Sequence, residues 1–103
     1  MSQKRAARRL LARQEAKLAR ARERLADLDP GGAPHRPLEV ESASEVEPRA
    51  RSMPCPKCEG ELRVEEHAAA TIDSVRLRIA RMVCARCGSR RSIYFRLGSP
   101  LPS

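Results

Sequence analysis

The sequence has very few aromatic residues and no long apolar segment. Its 103 residues include no Trp, one Tyr and one Phe, which excludes a core built mainly on aromatic packing. No stretch approaches the roughly 18 apolar residues of a membrane-spanning helix. The first residues also lack the apolar stretch of a secretory signal. We therefore expect a cytoplasmic protein without a membrane segment.

Acidic residues are outnumbered by basic ones, and the excess is uneven along the chain. The net charge is +8; residues 1–28 carry nine Lys or Arg against three acids, residues 29–52 carry three against five, and residues 53–103 carry nine against five. Such a basic excess favours nucleic acid, an acidic protein surface or acidic lipid as a partner, without choosing among them. The Arg-rich start also resembles a mitochondrial presequence, but its three acids argue against that reading.

Gly and Pro are absent from residues 3–28, which consist mostly of good helix formers. We predict a single basic amphipathic helix over residues 1–28, ended by the Pro and Gly residues of 29–32. One side forms a leucine seam. It is defined here as Leu11, Leu18 and Leu25, which recur every seven residues, together with the intervening heptad position, occupied by Ala7, Gln14, Ala21 and Leu28. The other side forms a basic face, which consists of Arg5, Arg9, Arg13, Lys17, Arg20 and Arg24.

This helix allows two readings. The basic face could lie along a nucleic-acid backbone. Alternatively, Leu11, Leu18 and Leu25 could pair with a second copy or a partner helix as a short coiled coil. A membrane-surface role ranks third, because the apolar side has no Phe or Trp.

Residues 29–52 read as a linker rather than a folded element. They contain four Pro, two Gly and five acids, and show no helical period. We predict mostly extended or disordered chain, with a short strand possible at residues 38–41. One reading is a plain spacer; the other is a short linear motif that docks on a partner's sheet edge or on the folded part of this chain.

Residues 53–97 are predicted to be the folded unit, followed by a flexible tail at residues 98–103. Alternation of apolar and polar residues predicts strands near residues 62–65, 76–79 and 93–97. The pair Asp73-Ser74 favours a turn, and the alternation slips near Ala80-Arg81, which indicates a β-bulge. The pattern therefore predicts three short antiparallel strands.

The four cysteines form two Cys-x-x-Cys pairs, Cys55 with Cys58 and Cys84 with Cys87, separated by 25 residues. Two residues between cysteines let one tight turn direct both sulfurs at a single ion, and zinc takes four such ligands tetrahedrally. A reducing cytoplasm favours metal binding over disulfides. We predict one structural zinc ion held by these four residues.

This pattern resembles the zinc-ribbon family, including small bacterial zinc-ribbon proteins without an assigned role. The resemblance covers residues 53–97 and rests on Cys55, Pro56, Cys58, Gly60, Cys84, Cys87 and Gly88. It implies a metal-stabilised, three-stranded antiparallel zinc ribbon, in agreement with the strand pattern. Family members include transcription factors, polymerase subunits, ribosomal proteins and topoisomerases, so the resemblance alone does not assign a role. The acidic signature of transcript-cleavage ribbons is absent.

Other readings of the cysteines are weaker. A glutaredoxin-like redox pair at Cys55 and Cys58 needs a βαβ scaffold, and residues after 53 predict no helices for it. An iron–sulfur site is possible wherever four cysteines converge. A catalytic zinc needs an open coordination position, which four thiolates do not leave, and His67 reads as an ordinary strand residue. We therefore predict a non-enzyme without a small-molecule substrate.

Two functions remain. If the apolar residues of the strands face inward, alternation turns basic residues and one Tyr outward, as a surface for phosphates and a stacked base. The predicted nucleic-acid-binding residues are Arg63, Arg76, Arg78, Arg90, Arg91, Tyr94 and Arg96. The first function is nucleic-acid association in transcription, translation or DNA handling. The alternative is a protein-interaction adaptor that uses the N-terminal helix for dimerisation or docking.

Overall fold

The computed structural model describes residues 2–98, and it contains one long helix, one short helix and a four-stranded sheet. Residues 99–103, most of the predicted flexible tail, lie outside this range. The elements in chain order are α1 (Ser2–Leu28), β1 (Leu38–Val40), a 3₁₀ turn (Ala43–Glu45), α2 (Val46–Arg51), β2 (Leu62–Ile72), β3 (Val75–Cys84) and β4 (Arg90–Leu97).

The sheet is mixed, with strand order β1-β4-β3-β2. Strands β2, β3 and β4 form the antiparallel meander that the alternation predicted, but β2 and β3 are longer than the predicted short segments 62–65 and 76–79. The prediction of a three-stranded antiparallel sheet is nevertheless wrong, because β1 adds a fourth strand parallel to β4, with Leu38 beside Phe95. A parallel neighbour requires a long crossover, and the whole of residues 41–89 supplies it.

The loop between β2 and β3 is the two-residue turn expected from Asp73-Ser74. Both residues have positive φ, 49° and 67°, as in the type I′ turns that match the twist of a hairpin. The predicted bulge is present but lies on the neighbouring strand. The register shifts between Val64 and Glu66, opposite Arg81, so that Glu65 is the extra residue.

Residues 38–51 are folded, which corrects the expectation of a disordered linker. Val40, Val46 and Ala50 are fully or almost fully buried in one cluster with Ile93 and Phe95. The short helix α2 packs on β2 and β3, and Glu47 reaches His67 on β2, with 3.2 Å between Oε2 and Nδ1. This segment therefore covers one face of the sheet, called the covered face below. The opposite face is called the open face, although Leu77 and Ile79 on it are also buried.

The covered face carries the main core. Its other buried members are Cys55, Leu62, Ala80, Met82 and Cys84, with Leu38, Met53, Cys58 and Val64 packed at the margin. Burying a single aliphatic or aromatic side chain contributes roughly 1.5–3 kcal/mol. Because this core is small, the fold depends on further stabilising interactions. Two cysteines of the predicted metal site lie inside it.

Helix α1 ends where the breakers predicted and projects from the rest of the molecule. Gly31 takes φ of 89° just past the helix, and the Arg36 guanidinium donates to the Leu28 carbonyl, with Nη1 to oxygen 2.6 Å. A cation at a helix C-terminus is favourable for the helix dipole. The described chain measures 71 × 22 × 20 Å, and a helix of 27 residues alone spans about 40 Å.

The leucines of the seam are largely exposed in the described residues 2–98. Leu11, Leu18, Leu25 and Leu28 are 56–64% exposed. The half-buried residues of α1 are Ala19, Ala21, Glu23 and Ala26; only Ala21 belongs to the seam, and the other three lie on a different side of the helix. Within the described range, no helix is long and apolar enough to cross a bilayer.

Candidate metal centre

The first cysteine pair lies on a tight turn before β2. The Glu59 N–H donates to the Cys55 carbonyl at 2.8 Å, and the Cys55 N–H donates to the Gly60 carbonyl at 2.9 Å. These two bonds close a loop around the pair, so that both sulfurs point to the same side. Cys55 is buried in the core, and Cys58 is half-buried.

The second cysteine pair, between β3 and β4, repeats this arrangement. The Gly88 N–H donates to the Cys84 carbonyl at 3.0 Å, and the Cys84 N–H donates to the Ser89 carbonyl at 2.9 Å. The two turns are joined directly, because the Ala85 N–H donates to the Glu61 carbonyl at 2.9 Å. The chain thus presents two equivalent halves of one site.

The four sulfurs converge on a volume suited to one metal ion. They all lie within 4.8 Å of one another. Two of the separations are 3.7 Å, between Cys55 and Cys87, and 3.4 Å, between Cys58 and Cys84. A tetrahedron with Zn–S bonds of about 2.3 Å has edges of about 3.8 Å. Both separations far exceed the roughly 2.05 Å of a disulfide, so four free cysteines are positioned to hold a metal.

Nearby hydrogen-bond donors favour thiolates at the second turn. The backbone N–H of Cys87, followed by that of Arg86, lowers the pKa of Cys84. The hydroxyl and backbone N–H of Ser89 lower the pKa of Cys87 to about 6. Ser89 was not singled out in the sequence, although it occupies the position that Gly60 has in the first turn.

The first turn behaves differently. The Gly60 N–H lowers the pKa of Cys58, but desolvation and the three neighbouring thiols outweigh it and raise this pKa to about 12. Four thiolates cannot gather here without a compensating positive charge. A divalent cation would supply that charge and displace the remaining protons.

Gly60 is required because the two turns meet at its Cα. A Cβ built there would lie 2.9 Å from both the Cys84 sulfur and the Arg86 Cβ, and 3.1 Å from the Cys58 sulfur. Gly88 is favoured for another reason. A Cβ there meets nothing within 4 Å, but the residue has φ of 75°.

Glu59 occupies the position equivalent to Gly88 and has φ of 63°, a left-handed conformation that costs an ordinary L-residue roughly 1–2 kcal/mol. We expect Gly88→Ala to lower the free energy of unfolding of the metal-loaded protein by about 1 kcal/mol. Glu59→Gly should raise it by about 0.5 kcal/mol, since relief of strain exceeds the added chain entropy. Urea denaturation in excess zinc measures both. Glu59→Ala is the control, and equal stabilisation by Ala would show that side-chain charge, not φ, is responsible.

The predicted nucleic-acid-binding residues do not share one surface. Directly opposed residues in a sheet lie on the same face, and Arg78 opposes Phe95 whereas Ile79 opposes Tyr94. The assumption that Leu77 and Ile79 lie on the same face as Ile93 and Phe95 is therefore wrong. Arg76, Arg78 and Arg91 belong to the covered face, and Arg63, Arg90, Tyr94 and Arg96 to the open face.

Several of these arginines are already engaged. Arg90 forms a two-point contact with Glu65, with donor–acceptor distances of 2.9 and 3.3 Å. Arg96 pairs with Glu39. On the covered face, two nitrogens of Arg91 are buried without a hydrogen-bond partner in the described part of the chain. Arg63, Arg76, Arg78 and Arg91 form no ion pair within residues 2–98, but they are divided between the two faces of the sheet.

Helix α1 is different. Its nine Lys and Arg residues have no carboxylate within 4 Å among residues 2–98, and the one ion pair made by the helix joins its Glu23 to Lys57 of the first cysteine turn at 3.2 Å. That contact was not foreseen from the sequence, which gives no sign of how the helix and the turn approach each other.

Comparison with protein-family models, curated proteins and solved structures finds no match to this chain. The arrangement of the four cysteines itself is compatible with zinc-binding turns.

Proposed function

We propose that the protein is a non-catalytic zinc-binding protein that associates with nucleic acid. The zinc role is supported by one observation above all, the convergence of the Cys55, Cys58, Cys84 and Cys87 sulfurs within 4.8 Å. Four thiolates complete a tetrahedral shell and leave no position for a reactive water, which is the coordination of a structural zinc.

The nucleic-acid role is supported by the unpaired charge of α1. The arginines of the sheet that carry ion pairs, Arg81, Arg90 and Arg96, are partly neutralised by Glu66, Glu65 and Glu39. The basic face of α1 has no such neutralisation in the described chain, and five of its members from Arg9 to Arg24 span 15 residues, or about 22 Å of helix. A duplex carries one phosphate charge per about 1.7 Å of its axis, so it can neutralise several of these cations at once.

A matched pair of triple variants tests this role. Arg13→Ala, Arg20→Ala and Arg24→Ala together remove three free cations of α1. Arg81→Ala, Arg90→Ala and Arg96→Ala remove the same net charge from residues that are already ion-paired. Binding to a fluorescent mixed-sequence DNA duplex, and to RNA of the same sequence, is measured by anisotropy over a series of salt concentrations.

We expect the α1 triple variant to weaken binding and to reduce the slope of log affinity against log salt by about 2–3, because each lost phosphate contact removes about 0.9. The control triple variant should change the slope by less than about 1. Equal effects of the two triples, or no binding to either nucleic acid by the wild type, would contradict the proposal.

The adaptor function is the second candidate, and the exposure of the leucine seam favours it. Leu11, Leu18 and Leu25 are 56–64% exposed. An amphipathic helix gains most of its stability in proteins by packing its apolar side. The two candidates are compatible, since seam and basic face are separate sides of α1.

A further inference from the structure

The leucine seam and the rest of the molecule lie on different sides of α1. At about 100° per residue, Leu11, Leu18 and Leu25 fall within a narrow stripe. Ala19 and Glu23, which approach the first cysteine turn, lie roughly 100–140° away from it. Glu23 is fixed there by Lys57. The seam leucines stay largely exposed to a second helix, although Leu18, with Glu15 and Arg22 beside it, lines an open groove with Lys57 of the first cysteine turn.

The residues flanking the seam indicate which helix fits. An antiparallel copy of α1 can be placed so that Leu18 packs against Ala21 of the partner subunit and Leu11 against Leu28 of the partner subunit. This register brings Glu15 opposite Arg22 of the partner subunit. A two-fold axis repeats the contact, so the pair contains two such ion pairs. The remaining leucine, Leu25, packs beside Gln14 of the partner subunit.

A parallel pair is less well matched. In a parallel coiled coil, the residue directly before Leu11, Leu18 or Leu25 faces the residue five further along the partner. Lys17 would then face Arg22 of the partner subunit twice, and Glu15 would face an uncharged Leu10 of the partner subunit. Both arrangements place Lys17 beside an arginine of the partner subunit twice, Arg22 in the parallel pair and Arg24 in the antiparallel pair. Only the antiparallel arrangement adds the two pairs of Glu15 with Arg22 of the partner subunit, so the flanking charges favour it.

The antiparallel arrangement also joins the two basic faces. The flank of the seam that carries Lys17 and Arg24 lies beside the same flank of the other helix, whereas a parallel pair would turn the two flanks to opposite sides. Lys17 then lies beside Arg24 of the partner subunit. The result is one basic surface shared by two chains. Its cations repel one another, and an anionic nucleic-acid backbone would relieve that repulsion.

We propose that α1 pairs antiparallel with α1 of a second copy of this chain through the leucine seam, and that the dimer presents a single continuous basic surface to nucleic acid. Dimerisation stands independently of the proposed function; only the role of the shared surface rests on it. The two events differ in their response to salt. Salt screens the repulsion between two basic helices and strengthens the dimer, while it weakens nucleic-acid binding.

The first test is sedimentation equilibrium of the zinc-loaded full chain, without nucleic acid, from micromolar to millimolar concentration. We expect reversible association of the 11.5 kDa chain to twice that mass, stronger at higher salt. Leu18→Glu should weaken it at least about tenfold, because it buries a charge in the seam. Ala16→Glu makes the same charge change on the opposite, exposed side of α1 and should leave it within about twofold. A monomer throughout, or equal effects of the two variants, would overturn the proposal.

A charge exchange tests the orientation. Glu15→Arg and Arg22→Glu should each weaken the antiparallel dimer about tenfold, since each turns two attractive contacts into repulsive ones. The double exchange Glu15→Arg with Arg22→Glu should restore it. A parallel dimer would instead be strengthened by Arg22→Glu, which faces Lys17 there, and that outcome would overturn the antiparallel arrangement.

Duplex binding by Leu18→Glu separates this proposal from the preceding one. A loss of dimer with duplex binding weakened but still salt-dependent supports both. If the wild type is a dimer but binds neither DNA nor RNA, the nucleic-acid function fails and the dimer stands. If the wild type binds duplex as a monomer with the affinity of Leu18→Glu, the dimer fails and the nucleic-acid function stands.

Discussion

Removal of the metal is expected to unfold the sheet rather than merely empty a surface site. Cys55 and Cys84 are 1% and 2% exposed and belong to the same cluster as Met82, Ile93 and Phe95. Loss of the ion leaves four sulfurs, with unequal proton affinities, gathered at the end of that cluster. A structural zinc contributes about 10–16 kcal/mol of apparent binding free energy, which is comparable to the total stability of a typical domain, about 5–15 kcal/mol.

Titration with a strong chelator, followed by far-UV circular dichroism and native mass spectrometry, measures this effect. We expect one zinc per chain before chelation, and loss of the strand signal in step with loss of the ion. Readdition of zinc should restore both. Cys84→Ser should reproduce the chelated state, whereas Ser89→Ala, which removes only a hydroxyl 3.1 Å from the Cys87 sulfur, should stay folded. An unchanged strand signal in the zinc-free chain would contradict a structural role.

Ala50→Glu is expected to be the most damaging single change outside the metal centre. Ala50 is fully buried where α2 packs on the sheet, so the new carboxylate has neither water nor space. Burying an unpaired charged group is among the few mechanisms that cost more than about 3 kcal/mol. The urea midpoint of the zinc-loaded protein should fall accordingly.

Arg49→Glu is the matched control, because it places the same side chain one residue earlier on the exposed side of the same helix. Its effect should stay within about 0.5 kcal/mol, as for most surface changes. If the two variants had the same urea midpoint, α2 would not be docked on the sheet in solution.

The metal centre could be predicted from the sequence because its geometry is local. Two residues between Cys55 and Cys58 suffice to turn both sulfurs one way, and the same holds for Cys84 and Cys87. The three antiparallel strands were also predictable, since alternation within each strand and the Asp73-Ser74 turn are short-range signals.

The folded segment 38–51 could not be predicted in the same way. Its buried residues are few, among them Val40, Val46 and Ala50, and they are separated by Pro, Ser and Glu that give the segment the composition of a linker. What orders it is contact with β4 and the covered face, which are distant in sequence. The alternation at residues 38–41 did indicate the short strand β1, but such contacts leave no period in residues 42–51.

The distribution of the arginines over the two faces failed for a related reason. Alternation assigns sides within one strand, but it does not say how the sides of neighbouring strands correspond. That correspondence is set by register. Here Arg78 of β3 lies opposite Phe95 of β4 and therefore on the covered face. Within β3, Ala80 and Met82 share that face, whereas Leu77 and Ile79 lie on the other.

The parallel pairing of β1 with β4 also sets an order of events during folding. Glu39 and Arg96 are 57 positions apart, and contacts over such distances form slowly because a long loop must close first. The two cysteine turns and the β2–β3 hairpin need no contribution from β1, so they can assemble first. On a ribosome, residues 38–40 must wait outside the exit tunnel until β4 has emerged, and during that interval α1 is the part of the chain that is free to meet a partner.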